Sequence, residues 1–299
     1  MTTLYVSDLD GTLLNSEKHV SQYTMDTINS LIENGMLFTI ATARTLAATT
    51  PVLSRLKINI PIILMNGVMV YDPIKKDYIY TESIAHKSYK NLIDILNEAN
   101  KSAFIFTLGS DKDKDKDKND DGDKDKDKDD LYTNAALFNV YHGELIEECE
   151  CRFYNTRVKH NDKNFIKTEK LELPSHEKII YIATLGEFDK LVPIFKQFQQ
   201  VEGVTSFLCK DDYAQSDYYL EAFSSKASKN TGVQYLKQLT GADKVITFGD
   251  NFNDIDMLIN ADESYAVSNA CDEVKKIVSG IIESNNDDGV AKFLSFNSF

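Results

Sequence analysis

The sequence predicts an α/β fold carrying a second, inserted α+β domain, and three observations support it. Strand-like and helix-like segments alternate from Leu4 to Met65, the same alternation returns beyond Val233, and the pattern between them is of a different kind.

Taken in order, Leu4, Tyr5 and Val6 form a short β-prone run that ends at Ser7 and Asp8, and Gly11-Thr12 supplies a turn after it. Ser21 is placed to cap a helix with Met25, Ile28, Leu31 and Ile32 on one face, and Gly35 is placed to end it. Residues 36–41 read as a second strand and 45–56 as a second helix. Pro61 precedes a continuous apolar run, 62–65, which suits a strand covered on both faces. Near the other end, 233–239 is helical, 245–248 a strand, 255–259 helical and 265–267 a strand. Between these halves lie helical segments at 89–100 and 187–200 and β-prone pieces at 103–108 and 178–184. The expected division is therefore a core of 1–84 and 217–299 with an inserted domain at 85–216.

A chain of 299 residues has room for two modest domains, and 42% hydrophobic residues suffice for a core in each. A formal net charge of −14 argues against nucleic acid or an anionic membrane as partner, because both need clustered Lys and Arg. Any anion must be met by local groups. Cys149, Cys151, Cys209 and Cys271 form neither a metal-binding pair nor a disulfide framework, and the five histidines have no metal spacing. The acidic residues Asp8 and Asp10 interrupt the first apolar stretch, and no run approaches the roughly 18 apolar residues of a membrane span. The expectation is a cytoplasmic protein with free thiols.

Residues 111–130 nearly alternate Asp and Lys, eleven against seven, with no apolar residue to offset the entropy of ordering. Asp117, Asn119, Asp121 and Gly122 match the first half of a Ca²⁺-binding EF-hand loop, but Lys128 stands where the ligating Glu belongs. The segment reads as a disordered, solvated loop.

The chemistry sits elsewhere. Asp8-Leu9-Asp10-Gly11-Thr12-Leu13 follows the first strand, and in an extended chain residues i and i+2 point the same way, so two carboxylates can face one reacting group. An acidic turn is the bland reading of a lone D-x-D, but a buried strand leading into D-x-D-G-T-L is far more specific. Gly249-Asp250-Asn251-Phe252-Asn253-Asp254 follows another buried strand, with Asp250 and Asp254 four residues apart. Hard oxygen ligands with few other donors suit Mg²⁺, and helix capping is the plainer alternative. Thr42 ends the second strand in Ala41-Thr42-Ala43-Arg44, where its hydroxyl and nearby backbone N–H groups can hold a phosphoryl oxygen. Lys229 is the compact positive charge that an otherwise acidic site needs for a phosphoryl group.

Together, D-L-D-G-T-L at Asp8, T-A-R at Thr42, N-G at Asn66, S-K at Lys229, G-D-N-F-N-D at Gly249, N-A at Asn269 and D-G-V-A at Asp288 resemble the haloacid dehalogenase (HAD) superfamily, and within it the Cof-type phosphatases with a C2B cap. The resemblance spans the chain apart from the Asp/Lys segment. Ala43 and Asn230 stand where Gly is usual, and Ser268 replaces the Gly expected before Asn269. The resemblance implies a Rossmann-like core with the site at the carboxyl ends of its strands. It implies that Asp8 attacks phosphorus and that Asp10 exchanges protons with the leaving oxygen and water. It further implies Mg²⁺ on Asp8, the Asp10 carbonyl and Asp250, with Asn251 or Asp254 in or near the outer shell. Phosphoryl oxygens would meet Thr42, Lys229, Asn253 and the N–H groups of Leu9 and Ala43, with Arg44 and Asn66 as further substrate contacts and the cap selecting the leaving group.

The leading expectation is hydrolysis of a small phosphorylated metabolite, such as a sugar phosphate or a cofactor-like phosphomonoester. A phosphohexomutase resembling phosphomannomutase is the enzymatic alternative; it would release no net phosphate. A non-catalytic cation-binding or scaffold protein is the third, and the intact set of Asp8, Asp10, Lys229 and Asp250 argues against it.

Overall fold

The computed structural model describes residues 1–108, 138–158, 163–210 and 217–297. The Asp/Lys segment, 111–130, lies outside them. The described chain forms two compact units, one from Met1–Thr81 with the residues from Ala227 onward, the other from the residues between Glu82 and Lys226.

The first unit begins with β1 (Thr3–Ser7), α1 (Gln22–Glu33), β2 (Leu37–Ile40) and α2 (Leu46–Leu53). Ser21 caps α1 by accepting the Thr24 N–H through its hydroxyl, as its position predicts. Gly35, at φ 94°, ends the helix, its N–H reaching back to the Ile32 carbonyl. Next come β3 (Ile62–Leu64), β4 (Met69–Asp72) and β5 (Asp77–Thr81). The 62–65 run is buried as expected, but β3 pairs antiparallel with β4 in a separate three-stranded sheet and meets the main sheet through one parallel bridge, Ala41 to Ile63.

The second unit carries α3 (His86–Glu98), β6 (Phe104–Leu108), β7 (Phe138–His142), α4 (Glu148–Arg157), β8 (Lys163–Lys167), β9 (Ile179–Glu187), α5 (Phe188–Phe198), β10 (Val204–Lys210) and β11 (Asp217–Ser224). Its six strands run in the order β10-β11-β9-β6-β7-β8, antiparallel except for β7 with β8. Tyr89, Leu92, Ile93 and Leu96 of α3 and Leu191, Ile194 and Phe198 of α5 pack on Ile105, Ile182, Leu220 and Ala222 of the sheet. On α4, Phe153 lies 4.3 Å from the Phe104 ring, centroid to centroid. The strand that begins at Asp217 differs from the sequence division, which gave 217 onward to the core: its backbone is bonded on both sides to β9 and β10. Tyr218, Tyr219 and Glu221 break up its apolar pattern, so no continuous apolar run marks this interior strand in the sequence.

The chain re-enters the first unit with α6 (Lys229–Thr240), β12 (Lys244–Gly249), α7 (Ile255–Ile259), β13 (Glu263–Val267), α8 (Asp272–Lys275), β14 (Gly280–Ile282) and α9 (Gly289–Asn297). Its main sheet has the order β14-β13-β12-β1-β2 and is parallel throughout. Leu4, Val6 and Val245 pack with Val233 and Leu236 of α6 and Met257 of α7, so these strands are apolar for the reason parallel strands usually are: helices cover them.

Three consecutive left-handed residues, Met65, Asn66 and Gly67, follow β3. A Cβ on Gly67, at φ 88°, would sit 1.9 Å from the Ser228 carbonyl oxygen, just ahead of α6. Only glycine allows this turn to lie against that backbone. Gly67→Ala should destabilise the protein by about 2–4 kcal/mol, read from chemical denaturation; a loss below about 0.5 kcal/mol would show that the approach is not tight.

Candidate active site

The residues marked by sequence gather at the carboxyl ends of the core strands. Asp8 leaves β1 with its N–H bonded to the Phe248 carbonyl of β12 at 2.9 Å and its carbonyl accepting the Ser7 hydroxyl at 2.7 Å. The chain then abandons the extended form. Leu9–Leu13 is a wide turn closed by the Leu14 N–H on the Leu9 carbonyl at 2.9 Å, with Gly11 at φ 81°. A Cβ on Gly11 would fall 2.5 Å from Asp250 Oδ2, so glycine is required where the two acidic loops meet.

Lys229 opens α6 with its side chain fully buried. Its Nζ donates to Asp8 Oδ1 at 2.5 Å and to Asp254 Oδ1 at 2.6 Å. The other Asp254 oxygen accepts the N–H groups of Asp250 at 2.9 Å and Asn251 at 3.0 Å. The Thr12 hydroxyl donates to Asp250 Oδ1 at 2.8 Å. Oxygens of Asp8, Asp250 and Asp254 lie within 4.8 Å of one another.

Three carboxylates against one ammonium leave a surplus of negative charge. Burial, then the Asp254 charge, pushes Asp8 well above the usual carboxylate range despite Lys229. The same two causes push Asp250 up to about 6. Burial works against the Lys229 ammonium, but Asp254 and Asp8 outweigh it and hold the proton more tightly than usual. A group of hard oxygen donors, without sulfur or imidazole and with charge to spare, fits a hard divalent cation.

Asp10 stands apart from this cluster. Because the strand ends at Ser7, Asp10 does not share a strand face with Asp8 as alternation would place it, and its carboxylate meets a different partner. Arg44 holds it in a fork, Nε to Oδ2 and Nη2 to Oδ1, both at 2.7 Å, and Lys18 lies 3.5 Å from Oδ1. Burial alone would raise Asp10, but the Arg44 hydrogen bonds and charge hold it below its ordinary value. Arg44, expected as a substrate contact, is thus engaged with Asp10.

The buried Thr42 accepts the Arg44 N–H at 3.1 Å through its hydroxyl oxygen, and Ala43 beside it is exposed. Asn253 Nδ2 donates to Asn66 Oδ1 at 3.1 Å, bringing two expected residues together. Asn251 is exposed and its Oδ1 accepts the Phe252 N–H, a capping contact, while Asp254 has both oxygens engaged by Lys229 and the backbone. Leu9 is buried in the turn. Sequence reasoning missed Thr12 and Lys18 as partners of the acidic groups. Thr12 lies within the D-x-D-G-T-L run, a signal that was available, whereas nothing local marked Lys18.

The raised Asp250 value carries a sign that can be checked without cation. An unfolded carboxyl titrates near pH 4, so between about pH 4 and 6 the folded chain holds the extra proton. The contribution of Asp250 to stability is fully present below that window and is lost as pH rises through about 6. Asp8 acts in the same direction, and Asp10 acts oppositely at more acid pH. With a chelator present, Tm should therefore fall by several degrees more across pH 4–6 in the parent than in Asp250→Asn. Equal slopes would mean that Asp250 is not protonated in the fold.

The sequence profile of the family described as haloacid dehalogenase-like hydrolase matches residues 5–294. The chain is 26% identical over 303 residues to the 5-amino-6-(5-phospho-D-ribitylamino)uracil phosphatase YitU of Bacillus subtilis, covering 97% of this chain and 96% of that protein. It is 25% identical over 298 residues to the pyridoxal phosphate phosphatase YbhA of Escherichia coli, covering 98% of each. Among solved structures, a haloacid dehalogenase-like hydrolase from Bacteroides thetaiotaomicron superposes with a TM-score of 0.71 at 20% identity over 99% of both chains. The HAD subclass IIB sugar phosphatase BT4131 gives 0.68 at 17% identity over 100% of this chain and 99% of the other, so both share the fold. With the family profile spanning nearly the whole chain and its acidic motifs meeting at one sheet edge, this protein belongs to the haloacid dehalogenase-like hydrolases and is a phosphatase-type enzyme.

Proposed function

We propose that the protein is a Mg²⁺-dependent, cytoplasmic phosphatase that hydrolyses a small phosphorylated metabolite through an aspartyl-phosphate on Asp8. The observation that carries this reading is the buried Lys229 ammonium held between Asp8 and Asp254. It lies against the oxygen of a carboxylate positioned at a strand end, where a phosphoryl group in transfer would develop charge.

In this reading an Asp8 oxygen attacks phosphorus in line, the bond to the leaving oxygen breaks, and Asp10 supplies the proton which that oxygen takes up. Water then attacks the phosphorus of the acyl phosphate, its proton passes to Asp10, and inorganic phosphate leaves with Asp8 regenerated. In the structure Asp10 is paired with Arg44 as a carboxylate, so the first step requires it to part from Arg44 and take up a proton. The phosphoryl oxygens are met by Lys229, the Thr42 hydroxyl, Asn253 and the N–H groups of Leu9 and Ala43, with Asn66 beside Asn253. The cation would be held by Asp8, Asp250 and the Asp10 carbonyl, with Asn251 and Asp254 outside them. When bound, it supplies neutralising charge to the nucleophile and the transferring group.

The relatives are named for leaving groups as different as a ribitylaminouracil and pyridoxal, and a structural neighbour for a sugar. What they share is a phosphomonoester on a small polar molecule, and that is the class proposed here. Among the described residues no helix is long and apolar enough to cross a membrane.

A phosphate-release screen over sugar, nucleotide and pyridoxal-type phosphates with Mg²⁺ tests the reading. Turnover of a hexose phosphate with no net phosphate release would point to a mutase instead. Asp8→Asn should lower kcat by about 10³-fold or more with the fold intact, and near-parent kcat would sink the covalent mechanism.

Asp10→Asn should cost about 10²–10⁴-fold on an alkyl phosphate and less on an aryl phosphate, whose leaving oxygen needs no proton. Equal losses on both would remove Asp10 from the acid role. EDTA should abolish turnover and Mg²⁺ restore it, while Ca²⁺ inhibits because its looser coordination misplaces the nucleophile.

A further inference from the structure

The Leu9–Leu13 turn sets a structural problem. With Asp10 and Gly11 outside helical conformation, the Gly11 carbonyl and the buried Leu14 carbonyl just beyond the turn have no regular helix or strand ladder to join and depend on other donors. Two asparagines from far along the chain supply them. Asn269 Nδ2 donates to the Gly11 carbonyl at 2.8 Å, and Asn285 Nδ2 donates to the buried Leu14 carbonyl at 2.8 Å. The two are joined, since Asn269 Oδ1 accepts the Asn285 N–H at 3.0 Å. A backbone N–H can only donate, so this contact fixes which end of the Asn269 amide faces Gly11.

The turn that bears Asn269 also grips the other acidic loop. The Ala270 N–H closes it on the Val267 carbonyl at 2.9 Å, and the Cys271 N–H donates to the Asp250 carbonyl at 3.0 Å. Beyond Asn285, Asn286 Oδ1 accepts the Ser16 N–H at 2.9 Å and Asp288 accepts the Thr24 hydroxyl at 2.8 Å, fastening the same segment to the chain that follows the first loop. The loop of Asp8 and the loop of Asp250 are therefore held by one piece of structure.

We propose that Asn269 and Asn285 are positioning residues: a two-asparagine brace on the Gly11 and Leu14 carbonyls that sets the spacing of Asp8 and Asp250 and so tunes their hold on a divalent cation. The cation half of this proposal rests on the Mg²⁺-dependent reading above. The loop half does not. Neither residue touches the reacting atoms; both act through the loop.

Asn269→Ala is the informative variant, because Asn269 is exposed and its removal should leave the unfolding midpoint of the metal-free protein nearly unchanged. Hydrogen exchange at the Leu14 amide, which closes the turn, should speed up about tenfold in that metal-free variant. The Mg²⁺ concentration for half-maximal thermal stabilisation and for half-maximal activity should rise together by about tenfold or more, the size seen when groups that orient metal ligands are removed. Asn269→Asp should fare no better, since it keeps an acceptor for Asn285 but loses the donor to Gly11. The double variant with Asn285→Ala should shift the Mg²⁺ requirement by less than the product of the single shifts, because the two share one network. Unchanged Leu14 exchange in Asn269→Ala would overturn the brace, and an unchanged Mg²⁺ requirement would overturn its role in cation binding. Turnover retained in Asp8→Asn would instead defeat the phosphatase mechanism, and the Leu14 exchange would still decide the brace.

Discussion

The site depends on burying the Lys229 ammonium between Asp8 and Asp254. A charged amine taken wholly out of water is costly unless paired and hydrogen-bonded, and here two carboxylates do both at 2.5 and 2.6 Å. Asp254 can serve only because its second oxygen is satisfied by the N–H groups of Asp250 and Asn251. A single chain of contacts thus runs from α6 through Lys229 and Asp254 into the backbone of the Asp250 loop. It fixes where Asp250 presents its carboxylate and which oxygen of Asp8 is engaged.

That arrangement leaves more negative charge than positive, and the contrast with the second unit is instructive. There, Lys101 is also buried, with Nζ 2.8 Å from Glu147 and 3.3 Å from Glu150. Glu150 additionally accepts the N–H groups of Ile146 and Glu147 as part of the cap of α4. The charges are engaged with one another and with a helix end, as expected of a structural ion cluster. Around Lys229, Asp8 and Asp250 are both pushed up by burial and by neighbouring carboxylates. Carboxylates raised in this way at the end of a strand leave charge for a cation or a reacting group to meet.

Close backbone approach is the second requirement. Gly11 lets the first loop meet Asp250, and Gly67 lets the turn after β3 lie on the start of α6. The residues before Gly67, Met65 and Asn66, are themselves left-handed, a conformation that costs energy in a non-glycine residue and survives only where its surroundings enforce it. Asn66 then meets Asn253, so the strained turn carries one of the residues singled out for the site.

The α/β alternation, the helix cap at Ser21, the helix stop at Gly35 and the acidic motifs after β1 and β12 were all legible in the sequence, because each rests on local signals: apolar period, capping chemistry and residues a few positions apart. The motifs also sufficed to mark Asp8, Lys229, Asp250 and Asp254 as a set, which the fold brings together. Three things were not legible. β11 belongs to the antiparallel sheet, a matter of which strand edge it joins and not of its own composition. Asp10 faces Arg44, because the strand ends at Ser7 and the chain turns before alternation can carry Asp10 to the face of Asp8. Thr12, Lys18, Asn269 and Asn285 serve the acidic loops through hydrogen bonds that in most cases cross more than two hundred residues of sequence. Local chemistry determined which groups the protein carries, but which donor meets which acceptor was decided only when the strands were brought side by side, since partners so far apart in sequence leave no periodic trace in the chain.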